Sequence, residues 1–131
     1  MDFREVLIER MVTDAVCELI IGVKRHTELG VALLIGRGGI AVETQPDYAL
    51  VLLSADREML SAALARLRFN LSPAAFQTVV LAMRAVADFA VDNADVLVEL
   101  DVNPLMLCGD DSVLAVGALI VTALGGVGVV E

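Results

Sequence analysis

The sequence predicts an α+β domain, a mainly antiparallel sheet packed by two helices. Three observations lead there. Short apolar runs with period-two alternation fill the first half, and their connections are too short for a parallel crossover, which takes roughly a dozen residues or more. The middle of the chain shifts to a helical period behind two start signals. After about residue 97 the period returns to two. Strands, two helices, then returning strands differ from the regular strand–helix alternation of a doubly wound sheet. With 131 residues the chain has the length of one domain, and it shows no internal repeat or low-complexity linker. Residues 1–120 read as that domain and 121–131 as an apolar, Gly-rich tail.

The elements follow in order. Val6–Val12 is a candidate strand and Thr13-Asp14 a turn. Cys17, Leu19, Ile21 and Val23 alternate with Glu18, Ile20, Gly22 and Lys24, the mark of a strand with one drier face. Thr27-Glu28-Leu29-Gly30 turns the chain into Val31–Ile35, which Gly36-Arg37-Gly38-Gly39 is expected to break. Ile40–Thr44 and Tyr48–Leu53 follow as strands around Gln45-Pro46-Asp47. Asp56 can cap a helix over about 57–68 that packs through Met59, Leu60, Ala63, Leu64 and Leu67. Ser72-Pro73 opens a second helix with Phe76, Val79, Val80, Met83, Val86, Ala87 and Ala90 on its core side. Asn93 is expected as its left-handed stop. Val98, Leu100 and Val102 should then face one way, and Glu99, Asp101 and Asn103 the other. Pro104 is expected to end regular pairing or force an edge. Gly109-Asp110-Asp111 is a turn, and Val113–Val116 one more strand.

Composition narrows the function classes. Apolar residues make up 58% of the chain, which excludes intrinsic disorder. The formal charge is −9 and unevenly spread. Residues 1–84 carry all nine Lys and Arg against ten acids, whereas 85–131 carry eight acids and no base. Such a chain has no basic footprint for nucleic acid or anionic lipid, and its acidic half is compatible with a divalent cation. Two distant cysteines and one histidine make neither a usual zinc site nor a disulfide framework. With Met1-Asp2-Phe3-Arg4-Glu5 at the start there is no signal-peptide pattern, and the cytoplasm is expected. Ser112–Val130 is uncharged over a membrane-spanning length, but its glycines and acidic flanks favour a core strand and a sticky tail over an anchor.

Glu99, Asp101 and Asn103 form the sharpest chemical pattern. Alternate residues on one strand face lie roughly 7 Å apart, and three hard oxygen side chains in a row suit Mg²⁺. A solvated strand face has the same pattern. Gly36-Arg37-Gly38-Gly39 reads either as a tight hairpin needing positive φ or as backbone amides and Arg37 placed on an anion. His26, beside Lys24-Arg25, reads as a surface histidine in a charged turn.

Taken together, Val6–Val12, Glu18-Leu-Ile-Ile-Gly-Val-Lys-Arg25, Gly36-Arg-Gly-Gly-Ile-Ala-Val-Glu43 and Glu99-Leu-Asp-Val-Asn-Pro-Leu105 resemble, in order and spacing, the ATP-grasp β-subunit or β-domain of NDP-forming acyl-CoA synthetases. That family includes the ADP-forming acetate–CoA ligases and is related to the succinyl-CoA synthetase β subunit. The resemblance implies an ATP-grasp C-terminal lobe alone, with the smaller lobe, the CoA-binding domain and the phosphohistidine-bearing domain lying outside this sequence. It also implies ATP and Mg²⁺ as cofactors, with Asp101 and Asn103 as metal ligands and Glu99 close behind. The segment Ile8-Glu9-Arg10-Met11 resembles the hinge that meets adenine, and Arg37, Gly38 and Gly39 are expected with it as cofactor-binding residues.

Departures accompany the resemblance. A family metal-ligand Asp falls at Gly117, its neighbouring Arg at Leu119, and His26 stands where an Asp is usual. The connection after Arg68 is short and lacks the usual Arg-Gly segment. Two functions therefore stay open. One is a half-site for ATP-dependent acyl-CoA formation, inactive by itself or even unable to hold nucleotide alone. The other is a degenerate, non-catalytic interaction or assembly module. Either way the expected partner is a second copy or a complementary ATP-grasp or CoA-binding chain.

Overall fold

A computed structural model describes residues 5–39, 47–124 and 127–130. Among them, seven strands form one antiparallel sheet with two helices on one face. The elements are β1 (Ala15–His26), β2 (Gly30–Arg37), β3 (Tyr48–Leu52), α1 (Arg57–Ala65), α2 (Pro73–Asp92), β4 (Leu97–Cys108), β5 (Val113–Ala115), β6 (Ala118–Thr122) and β7 (Val127–Val130). The spatial order is β3-β2-β1-β4-β6-β7, and β5 pairs with β4 beyond the end of β6.

The α+β expectation holds, and the strand parity explains it. Leu19, Ile21 and Val23 of β1 meet Leu33 and Ile35 of β2, and these meet Ala49 and Val51 of β3. On the other side they meet Leu105, Val102 and Leu100 of β4. This inner face packs on Leu60, Ala63 and Leu64 of α1 and on Val79, Val80, Met83, Ala87 and Ala90 of α2. Both caps are as expected. The Asp56 carboxylate accepts from the Met59 amide at 2.8 Å, and the Ser72 hydroxyl accepts from the Ala75 amide at 3.0 Å. By length and composition α2 is apolar enough to cross a membrane. In the fold its apolar stripe faces the sheet, and the Arg84–Asp88 ion pair lies on its exposed side.

Several expectations are corrected. Residues 5–14, including the expected strand Val6–Val12, form no regular structure and are largely exposed. β-propensity alone does not hold a strand; its N–H and C=O groups need a ladder partner. The second half of β2 runs through Gly36 and Arg37 instead of breaking there. Met59 is exposed, although the other expected packing residues around α1 are buried. Asn93 is not left-handed but closes α2 with its side-chain amide, which donates to Phe89 O at 2.8 Å. A register shift between Leu97 and Glu99 places Leu97, not Val98, in the core.

Pro104 neither ends the strand nor marks an edge, since β4 is central and continues to Cys108. The β1–β4 ladder shifts register there, between Leu19–Leu105 and Ile21–Val102, so the missing proline donor falls at a bulge. The uncharged run from Ser112 enters the sheet as β5, β6 and β7. Residues expected as a tail thus include the end of β6 and the strand paired with it. The expected strand Ile40–Thr44 lies outside the described residues.

Candidate functional site

The face of the sheet opposite the helices carries the residues that alternate with the core. Register places Leu50, Leu34, Gly22 and Asp101 in one row across β3, β2, β1 and β4. A second row is Leu52, Ala32, Lys24 and Glu99. Asn103 lies within the β4 bulge, opposite Ile20. All of these positions except Leu52 line a shallow depression of about 430 Å³, within the size range of small-molecule sites. Its floor is apolar, from Ile20, Ala32, Leu34 and Leu50. One rim is the oxygen row Glu99, Asp101, Asn103, and Lys24 stands opposite Glu99. Gly22 keeps the centre low; a methyl there would lie 3.8 Å from Asp101 Oδ1.

The three oxygen side chains leave β4 on the same face, and none makes a side-chain hydrogen bond among the described residues. Partial burial, reinforced by the nearby Glu99 carboxylate, pushes the Asp101 carboxyl above its ordinary value. A cation at the rim would offset both effects. Two carboxylates and an amide oxygen are hard donors of the kind Mg²⁺ takes, leaving further positions for water and phosphate. The donor set therefore fits the metal, although the Asp that the resemblance implies at residue 117 is absent.

The other sequence-derived site residues lie elsewhere. Arg37 shares the parity of Leu33 and Ile35 and so points to the helix side. Its Nη2 donates to Arg68 O at 2.9 Å, and its guanidinium sits 5.2 Å from the Phe69 ring centroid, while Nε is buried without a partner. Gly38 donates to Glu18 O at 2.8 Å, and Gly39 has φ +82°, the positive angle expected of a tight turn. These residues line a separate, larger depression of about 690 Å³ with Cys17, Phe69 and Ser72. Ser72 donates from its hydroxyl to Asp111 there, so a carboxylate already stands beside the start of α2. Ile8, Glu9, Arg10 and Met11 are exposed and line neither depression. His26 is exposed as well; its Nδ1 accepts from the Glu28 and Leu29 amides and closes the β1–β2 turn.

Sequence reasoning missed one grouping. Donor atoms of Asp14, Cys108 and Asp110 lie within 4.8 Å of one another. Asp110 is engaged by the Ser112 hydroxyl and amide, which hold its carboxyl below the usual range. The Gly109-Asp110-Asp111 turn signal was the only hint of it in the sequence.

Comparison with solved structures places this architecture. The protein PH1788 from Pyrococcus horikoshii Ot3 superposes with a TM-score of 0.77 at 24% identity, covering 86% of this chain and 50% of that one. The dinucleotide-forming acetyl-coenzyme A synthetase 1 of Ca. Korarchaeum cryptofilum, in its apo form, gives 0.74 at 21% identity over 87% of this chain and 56% of that one. The same enzyme in complex with coenzyme A and Mg-AMPPCP gives 0.70 at 22% identity, covering 81% and 53%. At such identities the likeness is one of fold, and the chain spans about half the length of these structures. No curated protein matches the sequence. The family model described as an ATP-grasp domain matches residues 1–122, nearly the whole sheet and both helices, and the chain belongs to the ATP-grasp domain family.

Proposed function

We propose that this chain is the metal- and nucleotide-holding half of an ATP-grasp site serving ATP-dependent acyl-CoA formation, completed by another chain or lobe. The observation that carries the reading is the oxygen row Glu99, Asp101 and Asn103 bordering an apolar floor on the open side of the sheet. A nucleotide has the matching chemistry: a flat base for Ile20, Leu34 and Leu50, and phosphates that approach carboxylates only through a cation. Asp101 and Asn103 would hold Mg²⁺ directly, with Glu99 adding charge behind them. Bound there, Mg²⁺ would neutralise charge on the phosphates during transfer. Lys24, opposite Glu99, adds a cationic group at the same rim. The exposed Ile8–Met11 segment is available to meet the base once a second lobe fixes it. The acetyl-coenzyme A synthetase of similar fold, solved with Mg-AMPPCP and coenzyme A, supports the substrate class.

One observation favours a second reading, a non-catalytic assembly module. Gly117 offers no carboxylate, and a methyl built on it would lie 2.9 Å from Asn103 O. Isothermal titration with Mg-ATP separates the two. Saturable heat that weakens in Asn103→Ala supports the half-site. Absence of heat at millimolar Mg-ATP, with the protein folded, rejects it in favour of the module.

A further inference from the structure

The pairing of β1 with β4 brings two distant stretches together away from the oxygen row. Ala15 faces Cys108 in the ladder, and the Gly109 amide donates to Asp14 O at 3.0 Å. Asp14 therefore stands beside the turn that follows β4. The Cys108 amide donates to Ser112 O at 2.8 Å and the Asp111 amide to Cys108 O at 3.1 Å, so the backbone itself closes that turn. One donor atom each from Asp14, Cys108 and Asp110 lies within 4.8 Å of the others. The two carboxylates are exposed and by themselves are ordinary surface acids. Cys108 is different. It is a free thiol, only 7% exposed, and its sulfur makes no hydrogen bond among the described residues. A buried thiol that only fills space sits among apolar atoms, whereas this sulfur converges with two carboxylates and donates to neither. What three such electron-rich atoms share is affinity for a cation. Arg10 lends positive charge near Asp110 but forms no ion pair with it among the described residues. The Ser112 hydroxyl and amide both donate to Asp110 Oδ1, which orients the carboxylate and leaves Oδ2 free of them.

We propose that Asp14, Cys108 and Asp110 form a binding site for Zn²⁺, with water in the fourth position. Sulfur disfavours the hard cations that suit the β4 oxygen row, whereas Zn²⁺ takes thiolate and carboxylate together in a tetrahedral set. Ligands at about 2.0–2.3 Å from such an ion stand roughly 3.5 Å apart, so rotation of two exposed Asp side chains onto the buried sulfur closes the set. On binding, the S–H bond breaks, its electron pair forms the Zn–S bond and the proton passes to solvent, with no change of oxidation state. This one-sulfur, two-oxygen set differs from the Cys/His zinc site that the composition excludes. The ion ties residue 14, where the exposed 5–14 segment enters the sheet, to the β4–β5 turn. The site is independent of the nucleotide reading, since none of its three residues lines the depression beside Asp101.

The test is titration of the reduced, metal-stripped full chain with Co²⁺, followed by the ultraviolet thiolate-to-cobalt absorption band. Excess Mg²⁺ keeps the β4 oxygen row out of the titration, and displacement of Co²⁺ by Zn²⁺ gives the zinc affinity. A single equivalent of Co²⁺ should develop the band. Cys108→Ser should abolish it, whereas Cys17→Ser and Asp101→Asn should keep it. Asp14→Asn and Asp110→Asn should each weaken Zn²⁺ by about tenfold or more, since loss of a merely supporting group already costs about 10–100-fold. The proposal is overturned if folded wild type shows no band at millimolar Co²⁺, or if the band survives in folded Cys108→Ser. Loss of the band in folded Cys17→Ser or Asp101→Asn, or unchanged Zn²⁺ affinity in either variant of Asp14 and Asp110, overturns it as well. X-ray absorption at the zinc edge of the loaded wild type needs no substitution of the buried thiol. One sulfur at about 2.3 Å with oxygen in the remaining positions is expected; no sulfur, or two, refutes the assignment.

Discussion

Leu33 and Leu34 are neighbours on β2 with opposite surroundings. Leu33 is fully buried between the sheet and the helices. Leu34 points the other way and forms part of the floor beside Asp101. The same alternation divides β1 into Ile21 and Val23 on one side and Gly22 and Lys24 on the other, and β4 into Leu100 and Val102 against Glu99 and Asp101. The contrast teaches that the two faces are built for different ends. The inner face buries large side chains and lacks buried polar or charged residues among those described. The outer face keeps small residues at its centre and leaves apolar and oxygen-bearing side chains accessible. Stability should therefore reside mainly on one side and ligand chemistry on the other.

The largest expected effect comes from the inner face. Leu33→Ala should lower unfolding free energy by about 2–5 kcal/mol in urea titrations, through lost transfer energy and a residual cavity. A loss under about 1 kcal/mol would show that the inner face is not the tightly packed core. Next is the covering helix: Ser72→Ala removes the bond to the Ala75 amide and should cost about 1 kcal/mol by the same measurement.

Asp101→Asn probes the outer face through pH. The folded-state carboxyl is raised by burial and by Glu99, so the native protein holds its proton longer than the unfolded chain does. In wild type this contribution falls as pH rises from the ordinary carboxylate value of 3.8 to the raised one. Asp101→Asn should thus match wild-type stability in acid and exceed it at neutral pH, while losing Mn²⁺ binding. Equal stability at every pH would show that Asp101 carries no unfavourable charge. The smallest stability effect belongs to Leu50→Ser, expected within about 0.5 kcal/mol because Leu50 is exposed on the outer face. That variant should still weaken Mg-ATP binding; unchanged binding would remove Leu50 from the floor.

Local signals were the easiest to read. Asp56 and Ser72 cap helices through bonds to amides three residues on, so sequence alone announces them. The period of β4 likewise placed Glu99, Asp101 and Asn103 on one face. Its core phase near Leu97 is not legible in the period, because a bulge adds one residue there. Pro104 fits a central strand for the same reason, since a bulge takes up its missing donor. Val6–Val12 has strand composition, yet pairing is decided by a partner elsewhere in space. The glycines around Arg37 suggest an anion-binding loop, but its parity with Leu33 and Ile35 sends it under the sheet to Phe69.

By itself the sequence determined the elements whose cause is local: two capped helices, the alternating strands and the row of three oxygen side chains. The tertiary structure alone decided which face those oxygens share with Leu34 and Leu50, how Pro104 is accommodated within a central strand, and how closely residue 117 approaches Asn103. The physical reason is range. Caps and periodicity act within a few residues, whereas register, bulges and the 2.9 Å approach of Gly117 to Asn103 are set between strands distant in the chain.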